Sequence, residues 1–386
     1  MASVGKLEDE FEVDGFDSFC YYNDPPVEKL EDAFEVDGLE PFFYDEETWL
    51  SLAVEERERV RRKDEEKEQE EQERKQRADA HKQVKDSIFE YDPKVDRKVY
   101  TRFFLRDFSI FDINKKSPIP PMRYADKMYA DKFGLQDSVN ILSVSIVSSD
   151  ERFPVNVYGS VIARDSIDYM CIDLFRRNSD DCQPIDSEGG MLVLTGPGRG
   201  LVLVDFIYLE IDLKIKQDGV FPDKQFSKGL ISIDGRVLSR ENDFMVGSET
   251  LDSFHSTMEV RFATVLDSVE GHIEIKLVKG DFYGKITAGI SCARETIVIH
   301  DSRADGVVID DSGSINLRRR IMTVCRGSRM LVLHFENNAG GVGIERDIEF
   351  TPLVPGKDRW EDSWEFTCGA GKLKVELVWS LMDFRP

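Results

Sequence analysis

From residue 138 to the end of the chain, apolar and polar residues alternate along short runs that are rich in valine, isoleucine and aromatic residues. These runs include VNILSVSIV at 139–147, LVLVDFIYLEIDLKIK at 201–216, RMLVLHFE at 329–336 and LKVELVWSL at 373–381. A period of two gives a strand one buried face, and the intervening Gly, Asp, Asn and Pro residues are typical of hairpin turns. The sequence therefore predicts a mainly β protein, with a large antiparallel sandwich or barrel-like domain over 138–386 that has one core or two.

The region 46–89 has a different texture, dominated by glutamate, lysine, arginine and glutamine. It contains no glycine or proline, and opposite charges recur four residues apart, as in Glu58 with Arg62 and Glu70 with Arg74. These features predict a long charged helix. Because no apolar stripe persists across three heptads, the pattern favours a solvent-exposed single helix over a coiled coil.

Residues 1–45 contain a duplication. The segment KLEDEFEVDG at 6–15 recurs as KLEDAFEVDG at 29–38, an offset of 23 residues. Each copy is acidic and too poor in apolar area to offset the entropy of ordering the chain, so we expect a disordered acidic arm with two 23-residue repeats. The connector at 90–137 is rich in aromatic residues and proline, and we expect its aromatic side chains to dock on the β domain.

The chain has 75 acidic against 51 basic residues, a net charge of −24. This balance repels phosphate backbones and argues against nucleic-acid binding as the main role. No apolar run approaches the roughly 18 residues of a membrane span, so no membrane association is expected. The first residues do not resemble a targeting signal, and the six cysteines are scattered, as in a protein of the cytoplasm or nucleus.

Several ordered motifs resemble a known family. The run SVNILSVSIVSSDERFPVNVYGSVIARDSIDY, then LFRRNSDDCQPI, LVLTGPGRGLVLVDF and the terminal KLKVELVWSL are similar to domain of unknown function 6598, an uncharacterised plant family abundant in grasses. The resemblance covers about 138–382. It implies a plant source and a β fold but brings no established ligand or catalytic residue. Some relatives are named as ribosome-inactivating N-glycosidases.

An N-glycosidase of that type uses a glutamate and an arginine one helical turn apart. The candidate pair here is Glu259 and Arg261, whose spacing of two places both side chains on one face of a strand but on different faces of a helix. The surrounding MEVRFATV alternates as a strand does, which argues against the glycosidase site.

Other motifs suggest binding sites only weakly. TGPGRG at 195–200 lacks the Lys-Ser/Thr of a P-loop and precedes a strand, so we expect a tight β connection. The Asp-rich stretch 300–314 has Arg303 where an EF-hand loop needs an oxygen ligand and Ser312 where it needs a bidentate glutamate. The histidines are isolated, and no cofactor, metal or catalytic residue is predicted. We expect Trp364 and Trp379, together with Trp360, to seal the core.

The sequence therefore favours a non-enzymatic protein-interaction or scaffold protein of unknown pathway, in which the β domain is a binding module. The repeats supply the predicted contacts with an unknown protein partner, because aromatic side chains among carboxylates stay available for binding. These residues are Phe11, Val13, Phe16, Phe34, Val36 and Phe42. Two alternatives remain open: an rRNA N-glycosidase or other hydrolase with an unrecognised site, and a carbohydrate- or small-ligand-binding sandwich.

Overall fold

A computed structural model describes residues 46–125, 134–217, 219, 221–236, 242–291, 293–306, 309–327, 329–339, 341, 343–353 and 361–382. The chain divides into two compact units, Met1–Gln69 and Glu70–Pro386. Within the first unit, the described residues belong to a single helix. The second unit contains the remainder of that helix and all the described strands.

The helix, α1, runs from Glu46 to Ser87, close to the predicted 46–89. Its described side chains are exposed over most of its length, and ion pairs at i,i+3 and i,i+4 support it, among them Arg61 with Glu65 and Arg77 with Glu73. The single charged helix expected from the sequence is therefore confirmed. Among the described residues, no helix is both long enough and apolar enough to cross a membrane.

A short hairpin follows α1 and is formed by β1 (Phe89–Asp92) and β2 (Arg97–Tyr100). After it, Phe103 is buried, and its ring stacks on Tyr169 at a centroid distance of 5.2 Å and packs against Tyr208 at 4.9 Å. The segment after the hairpin is thus in contact with the β strands that come later in the chain.

One sheet has five strands in the order β5-β4-β8-β9, with β6 beside β4. The strands are β4 (Val155–Arg164), β5 (Ile172–Arg177), β6 (Gln183–Ile185), β8 (Phe206–Ile215) and β9 (Lys224–Asp234). A 3-10 turn, Ser179–Asp181, precedes β6.

A second sheet has seven strands in the order β17-β18-β11-β3-β7, with β10 and β14 also paired to β11. The strands are β3 (Gln136–Ser149), β7 (Leu201–Val202), β10 (Phe244–Ser253), β11 (Ser256–Lys279), β14 (Ile321–Cys325), β17 (Glu361–Cys368) and β18 (Gly371–Ser380). A third sheet has four strands in the order β13-β12-β15-β16. They are β12 (Gly284–Ile290), β13 (Thr296–Asp301), β15 (Leu331–Asn337) and β16 (Ile344–Phe350), and a one-turn helix, α2 (Ser302–Asp305), follows β13.

The 24-residue strand β11 belongs to two sandwiches. Up to Val265 it pairs with β10 and β3, and from Ser268 onward it pairs with β14 and β18. Between these halves the register shifts, and Asp267 has a positive φ of 45°. The first half and β3 cover the five-stranded sheet, whereas the second half, β14, β17 and β18 cover the four-stranded sheet.

Each sandwich has its own apolar core, with Phe175, Phe226 and Leu209 fully buried in the first and Phe335, Leu373 and Trp379 fully buried in the second. The predicted mainly β fold with antiparallel sheets is confirmed, and it contains two cores that share one strand.

Candidate functional site

The predicted partner-binding residues all belong to the N-terminal repeats. Phe11, Val13, Phe16, Phe34, Val36 and Phe42 lie outside the described residues, and their role stays a prediction. The candidate functional site below is therefore built from the second unit alone.

The Glu259–Arg261 pair lies on β11, as the alternating pattern predicts. Arg261 Nη2 donates to Glu295 Oε1 at 3.1 Å, so its hydrogen-bonding partner comes from a different part of the chain. A strand that holds Arg261 in this ion pair does not reproduce the helical Glu–Arg arrangement of an N-glycosidase.

The TGPGRG segment is a packed connection that leads into β7. At Gly196 a Cβ would lie 1.8 Å from the carbonyl oxygen of Asp173, which only glycine avoids. Arg199 is buried and donates to both carboxylate oxygens of Asp165, at 2.5 and 3.0 Å. The amide of Gly200 donates to the buried carboxylate of Glu270 at 2.5 Å. The segment thus binds carboxylates of its own chain, which fill the place a phosphate would need.

The Asp-rich stretch does not gather its carboxylates. Asp301 caps α2 by accepting from the amide of Arg303, Asp305 pairs with Arg318 at 2.8 Å, and Asp310 accepts from Ser312 and Ser314. Among the described residues, no cluster of three or more His, Cys, Asp or Glu side chains could hold a metal ion.

A buried ion cluster ties the segment after the hairpin to the five-stranded sheet. Glu210, on β8, accepts from Arg164 Nε at 2.6 Å, from Arg102 Nε at 2.9 Å and from the amide of Phe103 at 3.0 Å. Burial by itself raises the pKa of Glu210, but the hydrogen bonds and charges of the two arginines outweigh it and hold the pKa below its ordinary value. This cluster is structural, because every charge in it has a partner within the protein.

Residues of both sandwiches line a cleft of about 620 Å³, which we call the junction cleft. One wall comes from β3 and residues 191–194 of the first sandwich, and the other comes from β12, β13 and residues 318–319 of the second. Five cationic side chains line it: Arg261, Lys285, Arg294, Arg318 and Arg319. Only two acidic side chains do so, namely Glu295 and Asp301.

Both acidic groups of the junction cleft are already engaged, Glu295 by Arg261 and Asp301 by the amide of Arg303. The cleft is therefore a local region of positive charge in a chain whose net charge is −24. A cavity of this size falls within the range of small-molecule sites, and its cationic groups suit an anionic ligand.

Arg319 is the most unusual member of the cleft, because it is only 4% exposed and has no carboxylate partner among the described residues. Its Nη1 donates to the carbonyl of Ile141 on β3 at 2.7 Å, and its buried Nε has no hydrogen-bond partner. Burial lowers the pKa of Arg319 to about 10. By contrast, the charge and hydrogen bonds of Asp165 outweigh the effect of burial at Arg199 and raise the pKa of that guanidinium.

Sequence reasoning missed this site. Arg318, Arg319 and Arg320 form a charged run, a pattern that is common on solvated surfaces, and the other cations of the cleft lie 24 or more residues away. One sequence feature could have indicated that part of this run is buried: it lies between the apolar segments SINL and IMTVC, the second of which is β14.

Comparisons with solved structures give weak similarities only. The C2A and C2B domains of extended synaptotagmin 2 match with 8% identity over 66% of this chain and 94% of that chain, at a TM-score of 0.23. Their calcium-bound form matches with 8% identity over 66% of this chain and 100% of that chain, at a TM-score of 0.20. Human GIVD cytosolic phospholipase A2 in complex with methyl gamma-linolenyl fluorophosphonate matches with 11% identity over 65% of this chain and 33% of that chain, at a TM-score of 0.20. Scores this low carry no argument about function.

The sequence comparisons are more specific. No curated protein matches significantly. The model of one family, Domain of unknown function (DUF6598), matches residues 138–377, a range that holds the whole junction cleft and nearly all of both sandwiches. Since this range is more than half of the chain, the protein belongs to the DUF6598 family.

Proposed function

We propose that the protein is a non-enzymatic binding or scaffold protein and that its β domain is a binding module that takes an anionic ligand in the junction cleft. The observation that carries this proposal is the excess of cationic over acidic side chains in a cavity of about 620 Å³. In a chain whose net charge is −24, a cationic recess is a place where anions concentrate.

The contacts within the cleft favour binding over catalysis. General acid–base catalysis needs a titratable group that is free to exchange a proton with the ligand. Glu295 is held by Arg261 in an ion pair, and Asp301 is held by the backbone at the start of α2. Cations that remain charged at neutral pH and carboxylates that are already engaged suit electrostatic recognition.

The N-terminal duplication supports a second element of the function, a tethered interaction arm. Two copies of KLEDxFEVDG on one chain raise the effective concentration of the second contact once the first has formed. Affinity capture by the full chain and by a double variant, Phe11→Ala with Phe34→Ala, tests this element. Identical captured proteins would refute it.

Thermal unfolding of the full chain tests the cleft. A ligand that binds only the folded state raises the midpoint of unfolding. We expect low-millimolar pyrophosphate or citrate to raise the midpoint and glucose at the same concentration to leave it unchanged, with ionic strength held constant.

The chain offers a matched pair of lysines for the control. Lys285 lines the cleft on β12, and Lys279 is exposed at the end of β11 outside it. Lys285→Gln should reduce the anion-induced shift, and Lys279→Gln should leave it at the wild-type value. Equal shifts in both variants, or no shift with any anion, would show that the cleft does not bind anions.

A further inference from the structure

The ion pairs of the junction cleft leave a defined set of cations without partners. Arg261 is paired with Glu295 and Arg318 with Asp305. Lys285, Arg294 and Arg319 form no ion pair among the described residues. Asp301 is the register partner of Lys285 in the β12–β13 ladder, but its carboxylate forms no ion pair with that ammonium group. A ligand that neutralises the cleft therefore needs more than one negative charge.

Arg319 indicates where one of these charges binds. A buried guanidinium without a counter-ion is costly, because burial removes its hydration and the single hydrogen bond to the carbonyl of Ile141 replaces only part of it. Its fork of donors matches a phosphate or carboxylate group in two-point contact. The Nε of Arg319 has no hydrogen-bond partner, but neither has the Nε of Arg199, so the missing carboxylate is what distinguishes Arg319 from that paired arginine.

The remaining lining of the cleft favours non-aromatic polyanions over nucleotides. Apart from its charged groups, the cleft is lined by aliphatic, Met, Ser and Thr side chains, and none of its described lining residues is aromatic. Proteins commonly hold a nucleobase by stacking it on an aromatic ring. A polyanion with a compact, non-aromatic body fits this lining better than a nucleotide does.

We propose, on the basis of the anion-binding function above, that the ligand of the junction cleft is a polyol carrying several phosphate groups and that one phosphate binds the buried guanidinium of Arg319. Lys285 and Arg294 bind the other phosphates. The same chemistry occurs in soluble polyol phosphates and in the headgroups of phosphorylated inositol lipids.

Titration calorimetry with two probes of equal phosphate number tests the proposal. Inositol 1,4,5-trisphosphate and ATP each carry three phosphates, and only ATP carries a base. We expect the inositol trisphosphate to bind the full chain at least about tenfold more tightly than ATP. Because a hydrogen-bonded charge contact contributes about 1.5–3 kcal/mol, Arg319→Met should reduce the affinity for inositol trisphosphate by at least about tenfold.

Two further variants keep the test decisive. Arg294→Gln, at an exposed position of the cleft, should also weaken binding and does not threaten the fold, whereas Lys279→Gln should change it by less than about twofold. In the absence of ligand, Arg319→Met should unfold at a midpoint equal to or above that of the wild type, which separates a ligand-binding role from a structural one.

The outcomes also separate this inference from the broader proposal. If citrate or pyrophosphate stabilises the protein but inositol trisphosphate does not bind, the anion-binding function stands and the assignment of a polyol phosphate as ligand is wrong. If no anion binds, the proposed function and the ligand assignment are both wrong. Equal affinity for ATP, or an Arg319→Met variant that binds normally, would also overturn the inference. Vesicles of phosphatidylcholine with and without phosphatidylinositol 4,5-bisphosphate identify the source: lipid-dependent sedimentation points to a headgroup, and binding of the soluble probe alone points to a metabolite. Either source supports the inference.

Discussion

Replacing Glu210 with glutamine should destabilise the first sandwich more than any surface substitution of the same kind. The change keeps the shape of the side chain but removes the negative charge that faces Arg164, which is fully buried, and Arg102, which is 24% exposed. One amide oxygen then replaces two carboxylate oxygens that accept from both arginines and from the amide of Phe103.

The magnitude follows from the burial of the pair. Breaking a buried ion pair by removing one partner costs about 3–5 kcal/mol, because the remaining charge is left without compensation. Arg164 keeps its bonds to the carbonyls of Ile113 and Tyr169, which moderate the loss without replacing the charge. We therefore expect Glu210→Gln to lower the free energy of unfolding by about 3 kcal/mol at pH 7.

The effect should depend on pH. The pKa of Glu210 is held below its ordinary value, so its contribution to stability is present above the pKa of an unfolded glutamate, about 4.3, and is lost as the pH falls through the lower folded value. The difference between wild type and variant should therefore be largest near neutrality and should shrink below about pH 4.

Urea unfolding followed by far-ultraviolet circular dichroism measures this difference, and hydrogen exchange of peptides from residues 101–113 reports on the local contact. Glu365→Gln is the matched control, since its partner Lys372 is about half exposed and solvent screens such a pair, so this variant should lose far less stability than Glu210→Gln. A loss below about 1 kcal/mol for Glu210→Gln, or a loss that does not change with pH, would refute the reasoning.

Three further predictions use the same logic of matched pairs. Gly196→Ala should lower the free energy of unfolding by about 2 kcal/mol or more, because its Cβ would collide with the carbonyl of Asp173. The Cβ of Gly198→Ala meets open space, so this variant should lose little stability, and similar losses in the two variants would contradict the reasoning. Trp379→Ala should lower the free energy of unfolding by about 3–5 kcal/mol because the ring is fully buried, and Trp364→Ala should lower it by less than about 1 kcal/mol because that ring is 53% exposed. Urea unfolding measures both losses, and comparable losses at the two positions would show that exposure does not decide the cost. Burial raises the pKa of the Cys171 thiol, so iodoacetamide at pH 8 should label the half-buried Cys182 before Cys171; mass spectrometry of these two sites checks the order, and equal rates would count against it.

Much of the fold follows from local pattern. The alternating run at 373–381 becomes β18, in which every second side chain is buried, and the uninterrupted charged region becomes α1. The pattern is less reliable near strand ends and sheet edges, where both faces can meet solvent. Trp379 is buried as predicted, but the prediction for Trp364 is wrong, since this residue lies on β17 at the edge of its sheet. Trp360 lies outside the described residues.

The division into two cores was beyond the reach of periodicity. A strand of 24 residues that serves two sandwiches alternates with a period of two in both halves, and only the phase of its buried positions and its pairing partners distinguish the halves. The junction cleft was out of reach for a related reason. Its cations come from β11, β12, the segment before β13 and residues 318–319, and they converge because the two sandwiches meet along a shared strand.

The three deeply buried arginines of the β domain provide an internal comparison that bears on the site. Arg164 has Glu210, and Arg199 has Asp165, each at hydrogen-bond distance, so this fold meets the cost of burying a guanidinium with a carboxylate of its own in two places. Arg319 is as deeply buried as Arg199, yet it faces a cavity where the other two face an acid. On the proposal that the junction cleft binds an anion, the acid that completes the third site comes from the ligand, and the cavity beside Arg319 gives that acid a place to bind. The same argument explains why the two substitutions should differ in the protein without ligand: Glu210→Gln leaves a buried charge without its partner and destabilises the protein, whereas Arg319→Met removes a charge that has none and should not lower the midpoint of unfolding.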